Sequence, residues 1–467
     1  MRGLGRVNPT AWAASLIFAG AVGGVSACSS SVIQAPTTAS LQRRFRPERM
    51  QGAQRRAAEL LKEHRRTKRF PAHVLLRRTV DEHILNGGLW SLQRSMVLRY
   101  VVFRPRSKWA KSFVFDVPQH WRVQSAGAFV QPLGGKLRVY RQSDLHEEKG
   151  GRGRRRFKVA YARVNEGTLI EERVVLMLTN ATLDIPWYTR QAMRMAVPAD
   201  RLEHHVIYPN LWRMQAKRNG PVDAKIAVNV KDYGMWRHVS AVRQNVPAFA
   251  SEPLSPSLWT TGEYLASRLQ YFAVGMRQAR GPTHWQQLGN AVTQLLHGKR
   301  RWFDRTISEA SKAIVAGKRD PWQRLLAIDR YVREQVRVDM SSRQRSFREV
   351  LRTRRGSINQ VTALTVLLLR EAGVGADFTL IHDARDGVFD EGFVTISELD
   401  VRAVLASVGK RTVLLFPYLR HVAPGEHPWW VQGQRAMSVR GWRKVKWWTV
   451  PVQKARHDRS DEQLEVS

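Results

Sequence analysis

A thiol in the first turn of a helix is a ready nucleophile, because the positive end of the helix favours the thiolate. The stretch RTRRGSINQVTALTVLLLREAG, residues 352–373, has the form of such a helix. Ser357 and Gln360 are spaced as a capping box: the serine oxygen takes the N–H three residues on, and the glutamine reaches back. Residue 358 therefore falls in the first turn, and it is isoleucine. The one cysteine of the chain is Cys28, far upstream, so thiol chemistry has no group to begin it here. Other groups that could do chemistry are Ser357 itself, with His382, His421 and His427 in the same half. A serine at a helix start reads as a cap before it reads as a nucleophile, and isolated histidines read as structural or surface residues. His204 and His205 are adjacent, which on a strand sends them to opposite faces and argues against a shared metal. The acidic run RDGVFDEG, residues 385–392, lacks the alternating oxygen ligands of a calcium loop and reads as a turn. No metal or cofactor is expected from these patterns.

Cys28 has its own context. Arg2 and Arg6 precede the apolar run AWAASLIFAGAVGG, which is short for a membrane span and ends in Val25, Ser26, Ala27 and Cys28. This arrangement resembles the lipobox of bacterial lipoproteins. The resemblance implies cleavage before Cys28, lipidation of its sulfur and an extracytoplasmic protein tethered by the small, polar spacer SSSVIQAPTTAS. Ser29 is compatible with sorting to the outer membrane, on its periplasmic face. The composition agrees with an envelope setting: 77 Lys and Arg against 39 Asp and Glu give a formal charge of +38, suited to anionic lipid or polymer, and export argues against nucleic acid as the partner.

With 43% hydrophobic residues among 467, the chain has enough apolar material for two or three folded units. After a leader at 1–27, residues 28–71 read as a tether and an exposed basic helix with a thin apolar stripe of Ala57, Leu60 and Leu61. Short alternating stretches such as RSMVLRYVVFRP and LIEERVVLML, separated by turns such as QPLGGK, predict a β-sandwich over 72–250, with Gly150–Arg156 as an exposed hairpin tip. From 255 to 440 the pattern predicts an α+β unit with its core at 320–440. Its helices are SLWTTGEYLASRLQYFAVGMRQ, THWQQLGNAVTQLLHG, and DPWQRLLAIDRYVREQVRV with Asp320 and Pro321 as cap and first turn; its strands are ADFTLIHD, GFVTISEL and RTVLLFPYL. Residues 441–467 add one strand and a polar end. One member of each pair Trp429–Trp430 and Trp447–Trp448 is expected in the core, leaving the other free to stack on a sugar or a partner.

The segment from Arg324 to Val439 resembles the bacterial transglutaminase-like superfamily, which shares its fold with papain-like proteases. Where the family has GDCKD and LLRAAGI, this chain has GSINQ and LLREAGV in the same frame, and FREVLRTRRG matches the family's EVLRRRYG. The family's cysteine position is then Ile358, its histidine position Gly392 in EGFVTI, and its aspartate position Phe416 in LLFPYL. The family mechanism needs a thiolate, an imidazole and a carboxylate, and these three residues supply none of them. The resemblance thus implies a pseudoenzyme with a filled cleft, acting as a binding or scaffolding module for a peptide, a protein or a cell-wall polymer. The alternative is a serine- or metal-dependent hydrolase of envelope polymers. The half before this segment resembles, more loosely, the uncharacterised sandwich domain that often precedes it.

Overall fold

The computed structural model describes residues 50–67, 69–86, 89–118, 121–150, 154–178, 188–219, 226–249, 264–274, 277–297, 305–339, 346–441 and 444–453. The leader, the Cys28 region and the polar C-terminal end lie outside these described residues. The chain divides into two units whose sequence boundary falls between Gly281 and Pro282.

The first unit is rich in sheet. Helix α1 (Met50–Thr67) precedes β1 (Ala72–Asn86), β2 (Leu89–Val102), β3 (Ser112–Pro118), β4 (Arg122–Gln131), β5 (Arg138–Tyr140), β6 (His146–Lys149), β7 (Arg154–Ala160) and β8 (Thr168–Leu178). Then follow β9 (Tyr188–Ala192), β10 (Ala199–Pro209), β11 (Arg213–Asn219), β12 (Ala227–Tyr233), β13 (Trp236–Val246), β14 (Tyr264–Val274) and β15 (Arg277–Arg280). Eight strands form one sheet in the order β12-β13-β10-β1-β2-β8-β4-β5, antiparallel except where β1 lies beside β10. A second sheet joins β11, β14 and β15, with β9 on β14, and a third joins β3, β7 and β6. One apolar core takes residues from all three, among them Val74 and Leu202 of the large sheet, Leu269 of the second and Phe157 of the third. The expected hairpin around 150–156 is formed by β6 and β7; its residues 151–153 lie outside the described part.

Two sequence expectations change here. The stretch expected as a helix from Ser257 to Gln278 contains strand β14, which pairs on one side with β11 and on the other with β9 and β15. A central strand covered on both faces is apolar without a clean alternation, and such a run cannot be told from a helix by its period. Helix α1 is also less exposed than its charges suggest. Ala53, Ala57, Leu60 and Leu61 are buried against Leu75, Val101, Phe103 and Leu169 on the face of the large sheet away from the main core. His64 stacks on Phe103 with ring centroids 4.2 Å apart, and Arg56 pairs with Asp200. The thin stripe is enough, since one helical face needs only three or four apolar residues in two turns.

Several buried carboxylates of this unit are paired with arginines. Asp81 is fully buried and receives Arg94 at 2.6 Å, and Glu171 is held between Arg99 and Arg173. His204 and His205 point to opposite faces as expected: His204 is buried, while His205 bonds His238 at 3.0 Å and Glu203 at 3.1 Å. Among the described residues no group of three or more His, Cys, Asp or Glu is arranged to hold a metal.

Glu172 has neutral partners. Its Oε1 accepts the hydroxyls of Tyr161 at 2.7 Å and Tyr100 at 2.9 Å. Burial pushes its carboxyl from the ordinary 4.5 up to about 7, against the opposing pull of the two tyrosine hydrogen bonds. Between those values the unfolded chain has lost the proton and the folded one keeps it, so this group's contribution to stability falls as pH rises from 4.5 to 7. Buried His83 and His204 and half-buried His238, lowered by burial to about 3, 4 and 4, act in the opposite direction below their ordinary 6.5. The test is therefore a difference. Glu172→Gln is expected to gain in melting temperature over the parent as pH is raised from 4.5 to 7, with no further change above it; a gap independent of pH would show that the carboxyl does not titrate in that window.

Candidate functional site

The second unit is built around a helix with no solvent face. Its elements are α2 (Trp285–His297), α3 (Arg305–Ile314), α4 (Pro321–Gln335), β16 (Arg337–Val338), α5 (Phe347–Thr353), β17 (Arg355–Gly356), α6 (Ile358–Glu371), β18 (Gly375–Ile381), β19 (Val401–Val408), β20 (Arg411–Leu415), β21 (Arg435–Gly441) and β22 (Lys444–Thr449). Asp320 caps α4 by accepting the Gln323 N–H at 2.9 Å, with Pro321 at the first position, as the sequence predicts. In α6 every residue from Gln360 to Leu369 is buried, which is the mark of a central helix. It packs against α3, α4 and α5 and against β18 and β19 of a five-stranded antiparallel sheet, ordered β20-β19-β18-β21-β22. Gly373 ends it with φ +76°, a conformation open to glycine, and the Val374 N–H returns to the Leu369 carbonyl.

The start of α6 is fixed by the predicted capping box. Ser357 Oγ accepts the Gln360 N–H at 3.3 Å, and Gln360 Oε1 accepts the Ser357 N–H at 3.0 Å. The serine hydroxyl is thus engaged with the backbone, and among the described residues no histidine hydrogen-bonds it. His382 is buried, with Nδ1 and Nε2 each 2.7 Å from a backbone carbonyl, those of Glu398 and Gly387. Neither nitrogen is left to act as a base. His427 is tied to the Pro451 carbonyl at 3.1 Å, and His421 is exposed.

Ile358 is the first residue of α6, half-buried. The other two positions named with it do not join it. Gly392 is not on a strand: it lies exposed in a turn where its N–H is taken by the Asp390 carboxylate at 2.8 Å. The segment GFVTISEL buries Phe393, Val394 and Leu399, yet Thr395 caps a short 3-10 turn at Ile396–Glu398 instead of starting a ladder. Side-chain capping has won over strand pairing. Phe416 follows β20 and is 2% exposed in a cluster with Ile381, Ala403, Leu414 and Val422. Leu415, its neighbour, belongs to the core that contains α6, so alternation puts Leu414 and Phe416 on the other face of the sheet.

The residue that does meet the start of α6 is Arg402. On β19, Val404 and Ala406 face the α6 core while Ala403 and Leu405 face away, so Arg402 shares the α6 face. Its Nε donates to Asn359 Oδ1 at 2.9 Å, its Nη1 to the Leu399 carbonyl, and Asp400 lies 3.7 Å from Nη2. Burial lowers the Arg402 pKa from its ordinary value, against the pull of Asp400 and Tyr418. Tyr418, raised by burial to about 12, also takes a backbone hydrogen bond from Arg402. Tyr418 forms one wall of a cleft of about 370 Å³ with Pro417, Val336, Val338 and the arginines 333, 337 and 420. Sequence reading missed Arg402; the available signal was one arginine at an inward position of the apolar strand VRAVLASV.

Residues 308–385 match the family described as Transglutaminase-like superfamily. No curated protein matches the chain. The fold is similar to the crystal structure of a protein from Parabacteroides distasonis ATCC 8503, provisionally named a protease, with a TM-score of 0.64 at 12% identity over 82% of this chain and 72% of that one. An aminopeptidase A of Legionella pneumophila (TM-score 0.27, 8% identity, 44% of this chain and 22% of that) overlaps too loosely to bear on the fold. The same holds for a provisionally named cysteine protease from Cytophaga hutchinsonii (TM-score 0.22, 9% identity, 66% and 76%). Helix α6 and its capping box lie inside the matched residues, and the unit that holds them carries a transglutaminase-like domain.

Proposed function

We propose that the chain is a lipid-anchored bacterial envelope protein whose transglutaminase-like domain binds a ligand without transforming it. The observation that carries this reading is the start of α6, where Ile358 takes the first-turn position and the facing strand offers Arg402 bonded to Asn359. A cysteine mechanism requires a thiolate at that turn and an imidazole opposite it. The sole cysteine, Cys28, sits in the lipobox-like stretch, where its use is acylation. Arg402, not Gly392, is the strand residue that meets the helix, and a guanidinium does not exchange a proton near neutral pH. The rival reading, a serine-dependent hydrolase, is disfavoured by the engagement of Ser357 in its cap and of both His382 nitrogens with carbonyls. The excess of Lys and Arg supports attachment near anionic lipid or polymer, on the outer membrane's periplasmic face.

Peptide amide hydrolysis and acyl transfer to amines by the purified chain are expected to stay at the uncatalysed background. Turnover that persists after alkylation of Cys28 would overturn the reading. In a bacterial host, the chain is expected to take up a labelled fatty acid, and Cys28→Ser to remove that label and release the protein from membranes; equal labelling of both would place the anchor elsewhere.

The Arg402–Asn359 bond, read as structural, makes a separate prediction. Asn359→Ala leaves a buried guanidinium short of an acceptor and is expected to cost about 1–3 kcal/mol in denaturant unfolding. Asn359→Asp keeps an acceptor and adds a charge partner, so it is expected to recover most of that loss. Equal stability of all three proteins would show that the bond does not hold the helix start.

A further inference from the structure

We propose that the cleft walled by Tyr418 and the arginines 333, 337 and 420 is a carboxylate site for a short peptide. The proposal rests on the reading of this domain as a binding module and names the ligand class that the module takes. The three arginines are not equivalent. Arg333 is committed: its Nη1 donates to the Val422 carbonyl at 2.7 Å, and Asp329 forms an ion pair with its Nη2. Arg337 and Arg420 are exposed, and neither pairs with an acidic residue among the described residues. Some arginines of the same unit pair, as Arg370 does with Asp377, and others such as Arg319 and Arg411 have no acidic partner among the described residues; what sets Arg337 and Arg420 apart is that both line one cleft. Two guanidiniums without a carboxylate at a concave place form a local excess of charge, which is where a fixed anion gains most.

The walls choose among anions. Guanidinium matches the planar carboxylate with two parallel N–H···O bonds. Val336, Val338 and Pro417 offer no hydrogen-bond donor from their side chains, so a phosphate, with oxygens on every side, would lose hydration there without replacement. A peptide end places its two oxygens at one pole and apolar side chains beside it, which suits a mainly polar, basic space with a smaller apolar part. A volume of about 370 Å³ lies at the small end of ligand pockets and suits a few residues. The cleft also adjoins the start of α6, because Tyr418 is bonded to the backbone of Arg402.

The test is calorimetric titration of the full chain with N-acetyl-trialanine, its C-terminal amide, and inorganic phosphate. The free acid is expected to bind, the amide about tenfold more weakly or worse, and phosphate more weakly than the acid. Arg337→Gln with Arg420→Gln is expected to weaken the acid about tenfold or more, while Arg319→Gln with Arg411→Gln, equally exposed in the same unit, leaves it unchanged. Both pairs lower the charge by the same amount, so nonspecific attraction by a basic protein would show as an equal loss in both, and that result overturns the proposal. So would no binding of the acid, an amide that binds as tightly, or phosphate that binds more tightly through the same two arginines. Cleavage of the bound probe would instead overturn the inert reading and leave the carboxylate site standing.

Discussion

A guanidinium taken out of water must find acceptors or be costly, and Arg402 at the start of α6 sets that condition for the second unit. It is met by two elements at once: the first turn of α6 through Asn359, and the turn before β19 through the Leu399 carbonyl with Asp400 beside it. These bonds fix where α6 begins relative to the sheet, and the capping box fixes its first backbone donors. The cation lies near the positive end of the helix, so the contacts offset an unfavourable dipole as well as a lost hydration shell. A position that elsewhere could carry a mobile proton is here a fixed charge held by fixed acceptors.

The same sheet explains why the three positions aligned from sequence do not form one site. Successive residues of a strand face opposite ways, so a shift of one residue moves a side chain to the other face. Arg402 and Leu415 belong to the α6 face, whereas Phe416 joins the cluster around Ile381 and Val422. A motif alignment carries order along the chain, and alternation decides which face the matched residue reaches.

Much of the fold could be read in advance because its signals are local. The Ser357–Gln360 box, the Asp320 cap and the short strands from 94 to 178 follow from side chains that act on their own backbone or alternate in hydropathy. What was misread depended on distant partners. Strand β14 looks helical because both its faces are covered, and GFVTISEL looks like a strand because it buries apolar residues while its backbone turns on Asp390 and Thr395. The partner of Arg402 is not legible for the same reason: nothing near it in sequence says that its acceptor is Asn359, 43 residues earlier.

Isoleucine in the first turn of α6 and a buried cation beside it are not independent features. A thiolate needs an exposed, polar helix start, whereas Ile358 and the satisfied Arg402 make that start stable on its own account. Functional sites tend to hold strain and unmet polarity, whereas the cap of α6 and the Arg402–Asn359 bond leave that helix start satisfied. In the neighbouring cleft, Arg337 and Arg420 face solvent without a carboxylate partner among the described residues.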